Sequence, residues 1–180
     1  MRKIDNWNEV QEGGQFKELK AGAYVCKIIK VEDFADKEYI RVSFDINEGE
    51  LKGYFADSAG RLGEWPYAGR DIRSYKQNAL PYFKAFITAV EKSNDGYKWN
   101  WNEQSLVGQQ VVAVFGEEEY NALDGTTQVS TRVQEWRSLV ALREGKIKVP
   151  TIKKLKGDTY KNDTYVAPAM TEVEEEDTPF

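Results

Sequence analysis

Aromatic side chains and arginines interleave through the middle of the sequence. Tyr39 and Arg41 lie two residues apart, Tyr54 follows, residues 57–76 hold Arg61, Trp65, Tyr67, Arg70, Arg73 and Lys76, and Arg132 and Trp136 come late, four residues apart. An aromatic ring offers a flat apolar face on which a nucleobase stacks, and a guanidinium or ammonium beside it takes a phosphate. The combination suits a single nucleic-acid strand held without reading its sequence. Two or three such platforms, at about 1–3 kcal/mol each, with several phosphate contacts would give useful affinity. Any one of these residues alone could be a structural aromatic or a solvated charge; the clustering points to a groove.

Covalent and acid–base chemistry has few candidates. The chain has no His and one Cys, Cys26, which removes Ser/His/Asp and Cys/His nucleophile arrangements, the usual zinc sites and any disulfide framework. Cys26 lies among apolar residues and reads as a small core residue. The remaining catalytic reading is a magnesium nuclease using Glu117, Glu118, Glu119 and Asp124. Three consecutive Glu cannot share one strand face, and the stretch GEEEYNALDG reads as a solvated acidic turn. No phosphate-binding glycine loop or Cys-x-x-Cys pair exists. The expectation is a binding protein, not an enzyme, with no cofactor and no metal.

The net charge of −5 looks wrong for a partner of nucleic acid until it is divided along the chain. Residues 162–180 hold six acids and no Lys or Arg, which leaves 24 acids against 25 basic residues in the first 161, a balance of +1. Within that body, residues 137–161 carry eight basic residues against Glu144 and Asp158, a local +6. An acidic end on the same chain as a basic groove can compete with nucleic acid for it.

The elements that must position these residues follow from periodicity. Residues 21–32 read as a first strand, rich in β-branched and aromatic side chains, followed by the turn FADK. Residues 38–46 alternate, Ile40, Val42, Phe44 and Ile46 on one face and Tyr39, Arg41, Ser43 and Asp45 on the other, so Tyr39 and Arg41 point outward. Residues 51–56 suggest a short third strand carrying Tyr54, and 57–76 an aperiodic functional loop. Pro81 opens the one clear helix, with Leu80, Phe83, Ile87 and Val90 at helical spacing, ending at SNDG where Asn94 or Gly96 takes a left-handed cap. Tyr97, Trp99 and Trp101 read as a loop or short extra strand. Residues 106–115 and 127–142 complete the strands, the last placing Arg132 and Trp136 on one face.

Three strands, one helix and two strands is the order of the OB-fold, a five-stranded Greek-key barrel that commonly binds oligonucleotides or oligosaccharides. The predicted fold class is therefore mainly β: an OB-fold barrel with one α-helix between strands 3 and 4, over residues 1–150, and a flexible basic-then-acidic tail over 151–180, disordered beyond about residue 160 on composition. No stretch approaches membrane-spanning length, and MRKIDNWNEV carries no apolar signal core, which predicts a cytoplasmic protein that engages no membrane.

The last residues, Glu174, Glu175, Glu176, Asp177, Thr178, Pro179 and Phe180, resemble the acidic, Pro-Phe-terminated tip of bacterial and bacteriophage single-stranded DNA-binding proteins, with Thr178 at the position usually apolar. The segments LKAGAYVCKIIKVEDF, FDINEGELKGYF, LPYFKAFITAVEKSNDGYKW and LVGQQVVAVFGEEEY are similar to a family of phage proteins from Gram-positive hosts, over roughly residues 19–150. The resemblance implies binding and protection of single-stranded DNA in phage replication or recombination, in the bacterial host cytoplasm, with the tail recruiting replication or recombination proteins. Physically, Phe180 and its carboxylate suit a basic-rimmed pocket of a partner. A second reading is an OB-fold protein-interaction module with little DNA affinity. Strand edges and exposed aromatics would also serve a homodimer.

Overall fold

The computed structural model describes residues 17–155. The tail residues Glu174, Glu175, Glu176, Asp177, Pro179 and Phe180 lie outside them. The alternation of apolar side chains in the first half of the chain produces two long antiparallel strands, β1 (Gly22–Phe34) and β2 (Tyr39–Ile46). Cys26, Ile28 and Val31 of β1 face the same core as Ile40, Val42, Phe44 and Ile46 of β2, and all are buried. An extra residue at Ile29 shifts the register between Ile28 and Lys30 and leaves Ile29 exposed. The strand runs two residues past the predicted end, so Phe34 belongs to β1 and only Ala35–Lys37 makes the turn.

Residues 51–56 form no strand. Helix α1 (Tyr54–Leu62) starts there instead. The cause is Asp45: its buried carboxylate on β2 accepts the backbone N–H groups of Phe55 at 2.9 Å and Ala56 at 3.2 Å, supplying the partners that a helix start lacks. Phe55 is thereby turned into the core against Phe44, ring centroids 5.6 Å apart. The third strand lies within the stretch expected to be aperiodic: β3 (Arg70–Ser74) pairs antiparallel with β2.

Helix α2 (Leu80–Ser93) lies where the spacing predicts it, with Phe83, Phe86, Ile87 and Val90 buried. Asn94 is extended and Gly96, at φ +76°, takes the left-handed position. Asn94 has another task, donating to the carbonyls of Val90 and Gln110 and accepting from the Gln110 amide, all within 2.9 Å, which ties the helix end to the next strand. Tyr97, Trp99 and Trp101 form a loop without a strand.

Strand β4 (Gln110–Asn121) starts later and runs further than the periodicity suggests, because residues 103–106 form a 3₁₀ turn. Glu117, Glu118 and Glu119 are therefore in a strand, not a turn, paired with β5 (Thr127–Arg137). That last strand ends at Arg137, and the hydroxyl of the next residue, Ser138, caps a short helix, α3 (Leu139–Arg143). The fold is mainly β, with three α-helices among the described residues where the sequence suggests one. The five antiparallel strands lie in the order β3-β2-β1-β4-β5, and α2 connects β3 to β4 on the core side. Among the described residues no strand ladder joins β3 to β5, and the sheet has two free edges.

Replacing Asp45 by Ala takes this acceptor from the buried amides of Ile46 and Phe55 and from the part-buried amide of Ala56. The expected loss is about 2–3 kcal/mol in urea unfolding.

Candidate nucleic-acid interface

The two sheet edges come together through side chains. The indole N–H of Trp136, on β5, donates to the carboxylate of Asp71, on β3, at 2.6 Å. Arg73 binds the same carboxylate through Nε at 2.6 Å and forms an ion pair with it, both side chains only 16% exposed. Trp136 itself is 6% exposed and packs edge-on to Phe44 and Phe86. Trp136 is thus a core residue and not a stacking platform, and Arg73 is committed to Asp71 on the inward side of β3, beside buried Ile40 and Val42.

The expectation that Arg132 and Trp136 share a face fails for a local reason. Gln134 is an extra residue in β5, opposite the step from Val114 to Phe115, and a bulge reverses the alternation across it. Trp136 pairs with Ala113 on the core side, while Arg132 pairs with Gly116 on the outside. There the Arg132 guanidinium lies 5.2 Å from the centre of the Tyr67 ring.

Tyr67 is 69% exposed. It is held by the tight turn Tyr67–Gly69, which Gly69 permits: a Cβ there would lie 2.8 Å from the Phe55 ring, and its carbonyl accepts the Trp65 indole at 2.9 Å. Trp65 is therefore half-buried structure, packed on the core. On one side of the Tyr67–Arg132 pair a cleft of about 390 Å³ is lined by Arg41, Arg70, Asp71, Ile72 and Val133. On the other, a cleft of about 500 Å³ is lined by Leu19, Tyr54, Tyr120, Ser130 and Thr131 among others. Tyr54 thus reaches the site from the first residue of α1, not from a strand.

The outer face of β1, β2 and β3 continues from this seam. Cross-strand pairs place Glu32 beside Arg41, Arg41 beside Ile72, Ser43 beside Arg70, and Phe34 beside Tyr39. The Phe34 and Tyr39 rings stack at 4.8 Å, and the Arg41 guanidinium sits 4.6 Å from the centre of Phe34. Glu32 is the carboxylate in this cationic patch. Its hydrogen bond from Lys30, with the charges of Lys30, Arg41 and Arg70, holds it below the usual carboxylate range.

Six predicted residues therefore surround the face: Tyr39, Arg41, Tyr54, Tyr67, Arg70 and Arg132. Arg61 is on α1, its guanidinium donating to Ser58, and Lys76 is exposed beyond the end of β3. Phe34 and Ile72, the latter 53% exposed, are site residues that the sequence reading passed over. Continuing the alternation of β1 through VEDF would have found Phe34. No described group of three or more His, Cys, Asp or Glu is placed to hold a metal ion. Glu118 faces Lys153 at 3.8 Å, Glu119 accepts the Leu155 amide, and Asp124 is held below its ordinary value chiefly by the hydroxyl of Thr126. Burial pushes the Cys26 thiol far above its usual range. No described helix is long and apolar enough to cross a membrane.

No family model matches the chain, and no curated protein is significantly similar to it.

Removing the Asp71 carboxylate strands the Trp136 N–H and leaves Arg73 without its counter-charge; Asp71→Ala should cost about 2–4 kcal/mol, read by urea unfolding. Glu32 works in the opposite pH sense from a base. Its lowered value means that its contribution is complete above the ordinary carboxylate range and disappears as pH falls through that lowered value. Because Glu32 is only partly shielded from solvent, Glu32→Gln should cost less than about 1 kcal/mol at pH 7, a difference that fades in thermal melts as pH falls through that lowered value.

Proposed function

We propose that the protein is a non-enzymatic, OB-type single-stranded DNA-binding protein whose outer β1–β3 face and β3/β5 seam hold the strand. The observation that carries this reading is the cleft in which Arg41, Arg70 and Arg132 surround exposed Tyr67 and Ile72. Guanidinium groups beside open aromatic and apolar surface match a polymer that alternates phosphates with flat bases. The strand order, with α2 between β3 and β4, supports the OB assignment, side chains standing at the seam where a ladder would close the barrel. Such a protein melts no duplex by chemistry; it traps strands already open. The tail ending in Pro179 and Phe180 recruits replication or recombination proteins on the same proposal, its acids steering it to basic pockets.

Titration with oligothymidylate at low and high salt tests the reading. Binding should weaken steeply with salt, and Tyr67→Ala should cost about 1–3 kcal/mol, as a lost stacking platform does. Arg132→Gln should reduce the salt slope by about 0.7 as one phosphate contact disappears. Glu32→Gln should tighten binding by removing a negative charge from the face. No binding at low salt by the full chain, or by a chain ending at residue 170, would exclude the DNA reading and favour a protein-interaction module.

A further inference from the structure

The basic segment noted in the sequence has no part in the site described so far. Its first half is folded. From residue 137 to 155 it carries six basic residues, Arg137, Arg143, Lys146, Lys148, Lys153 and Lys154, against Glu144 alone. From Leu139, whose amide donates to the Ser93 hydroxyl at the end of α2 at 3.0 Å, it passes as a strap over the outer side of β1 and β4. Leu142 and Ile147 pack on Val25, Val112, Val114 and Leu139, a small apolar cluster separate from the main core. Further on, the Lys153 amide donates to the Glu117 carbonyl and its carbonyl accepts the Glu119 amide, both at 2.9 Å, adding a parallel bridge to β4. The Leu155 amide is held by the Glu119 carboxylate at 3.0 Å.

The side on which it lies is decided by β1. Val25, under the strap, and Lys27, Lys30, Glu32 and Phe34 all face away from the main core, since Lys27 pairs with Asp45, Lys30 with Ser43 and Glu32 with Arg41. One continuous surface therefore runs from Phe34 and Arg41 past Lys30 and Lys27 to the strap. At about 3.3 Å per residue the β1 part of this path is about 30 Å long. Half-buried Ile147 anchors the strap between two exposed lysines, Lys146 and Lys148. Arg137, Lys146 and Lys153 have carboxylate partners, whereas Arg143, Lys148 and Lys154 are exposed and have no ion pair among the described residues. Exposed cations held on a folded strap lose less freedom on meeting a polyanion than the same residues on a loose chain.

We propose that the strap is the distal half of the strand-binding track, Arg143, Lys148 and Lys154 taking phosphates of the same strand whose bases lie against the Tyr67–Arg41 face. This rests on the DNA-binding reading above. The proximal half offers rings and the distal half offers only charge, so the strap contributes backbone contacts, and only to strands long enough to reach it.

The test uses the full-length protein, with and without the triple change Arg143→Gln, Lys148→Gln and Lys154→Gln. Probes are a short oligothymidylate, the shortest that saturates the Tyr67-dependent signal, and one three times longer. All three positions are exposed, and circular dichroism and thermal melts confirm that the variant folds. For the long probe, the log–log salt slope should fall by about 2, three phosphate contacts at about 0.7 each. Short-probe binding should be unchanged. An unchanged slope on the long probe, or equal losses on both, would overturn the strap assignment while Tyr67→Ala still upheld the proximal site. If the parent protein bound neither probe, the underlying reading would fall, and the strap assignment with it.

Discussion

The hydrogen bond between the Trp136 indole and the Asp71 carboxylate joins two strands that no backbone ladder connects. A five-stranded sheet with free edges β3 and β5 could stay open, or could pair an edge with another chain. Here the edges are drawn together because Trp136 must bury its large ring against Phe44 and Phe86, and burial obliges its N–H to find an acceptor. Asp71 supplies the acceptor, and Arg73 compensates its charge. Everything outside the seam follows: with β3 and β5 held close, Tyr67 before one strand meets Arg132 on the other.

Charge is sorted by the two sides of the sheet. The outer side carries Lys27, Lys30, Arg41, Arg70 and the strap, its carboxylates being engaged, Glu32 by Lys30, Glu135 by Arg137 and Glu118 by Lys153. On the α2 side the polar groups have structural work: Glu91 accepts the Trp99 amide, Gln104 reaches the Val31 carbonyl, and Asp33 accepts the Tyr75 hydroxyl. Burial and that partner raise the Tyr75 phenol above its ordinary value. A protein of net charge −5 therefore presents a cationic surface where exposed aromatic and apolar side chains also lie, which is the arrangement a polyanion with flat bases would need.

Alternation and helical spacing exposed β2 and α2, because each buries one face and the apolar residues must recur at the period of the element. The same logic placed Tyr39 and Arg41 on the outside. It could not find α1, whose start depends on a carboxylate ten and eleven residues upstream of the amides it binds rather than on local propensity. Nor could it find β3, where Arg70, Asp71 and Arg73 hide a strand behind polar side chains that are used inside the seam.

By itself, then, the sequence determined the mainly β class, the core of β1 and β2, the long helix, the absence of His chemistry and the uneven distribution of charge; these are properties of composition and of short-range period. Tertiary structure decided which aromatics were available. The bulge at Gln134 sent Trp136 inward and Arg132 outward, Gly69 let Trp65 close over the turn that exposes Tyr67, and packing at Val25 and Val112 laid the basic strap on the outer face. Those outcomes depend on contacts between residues far apart in the chain, and a single unpaired residue in a strand is enough to exchange the faces of all that follow.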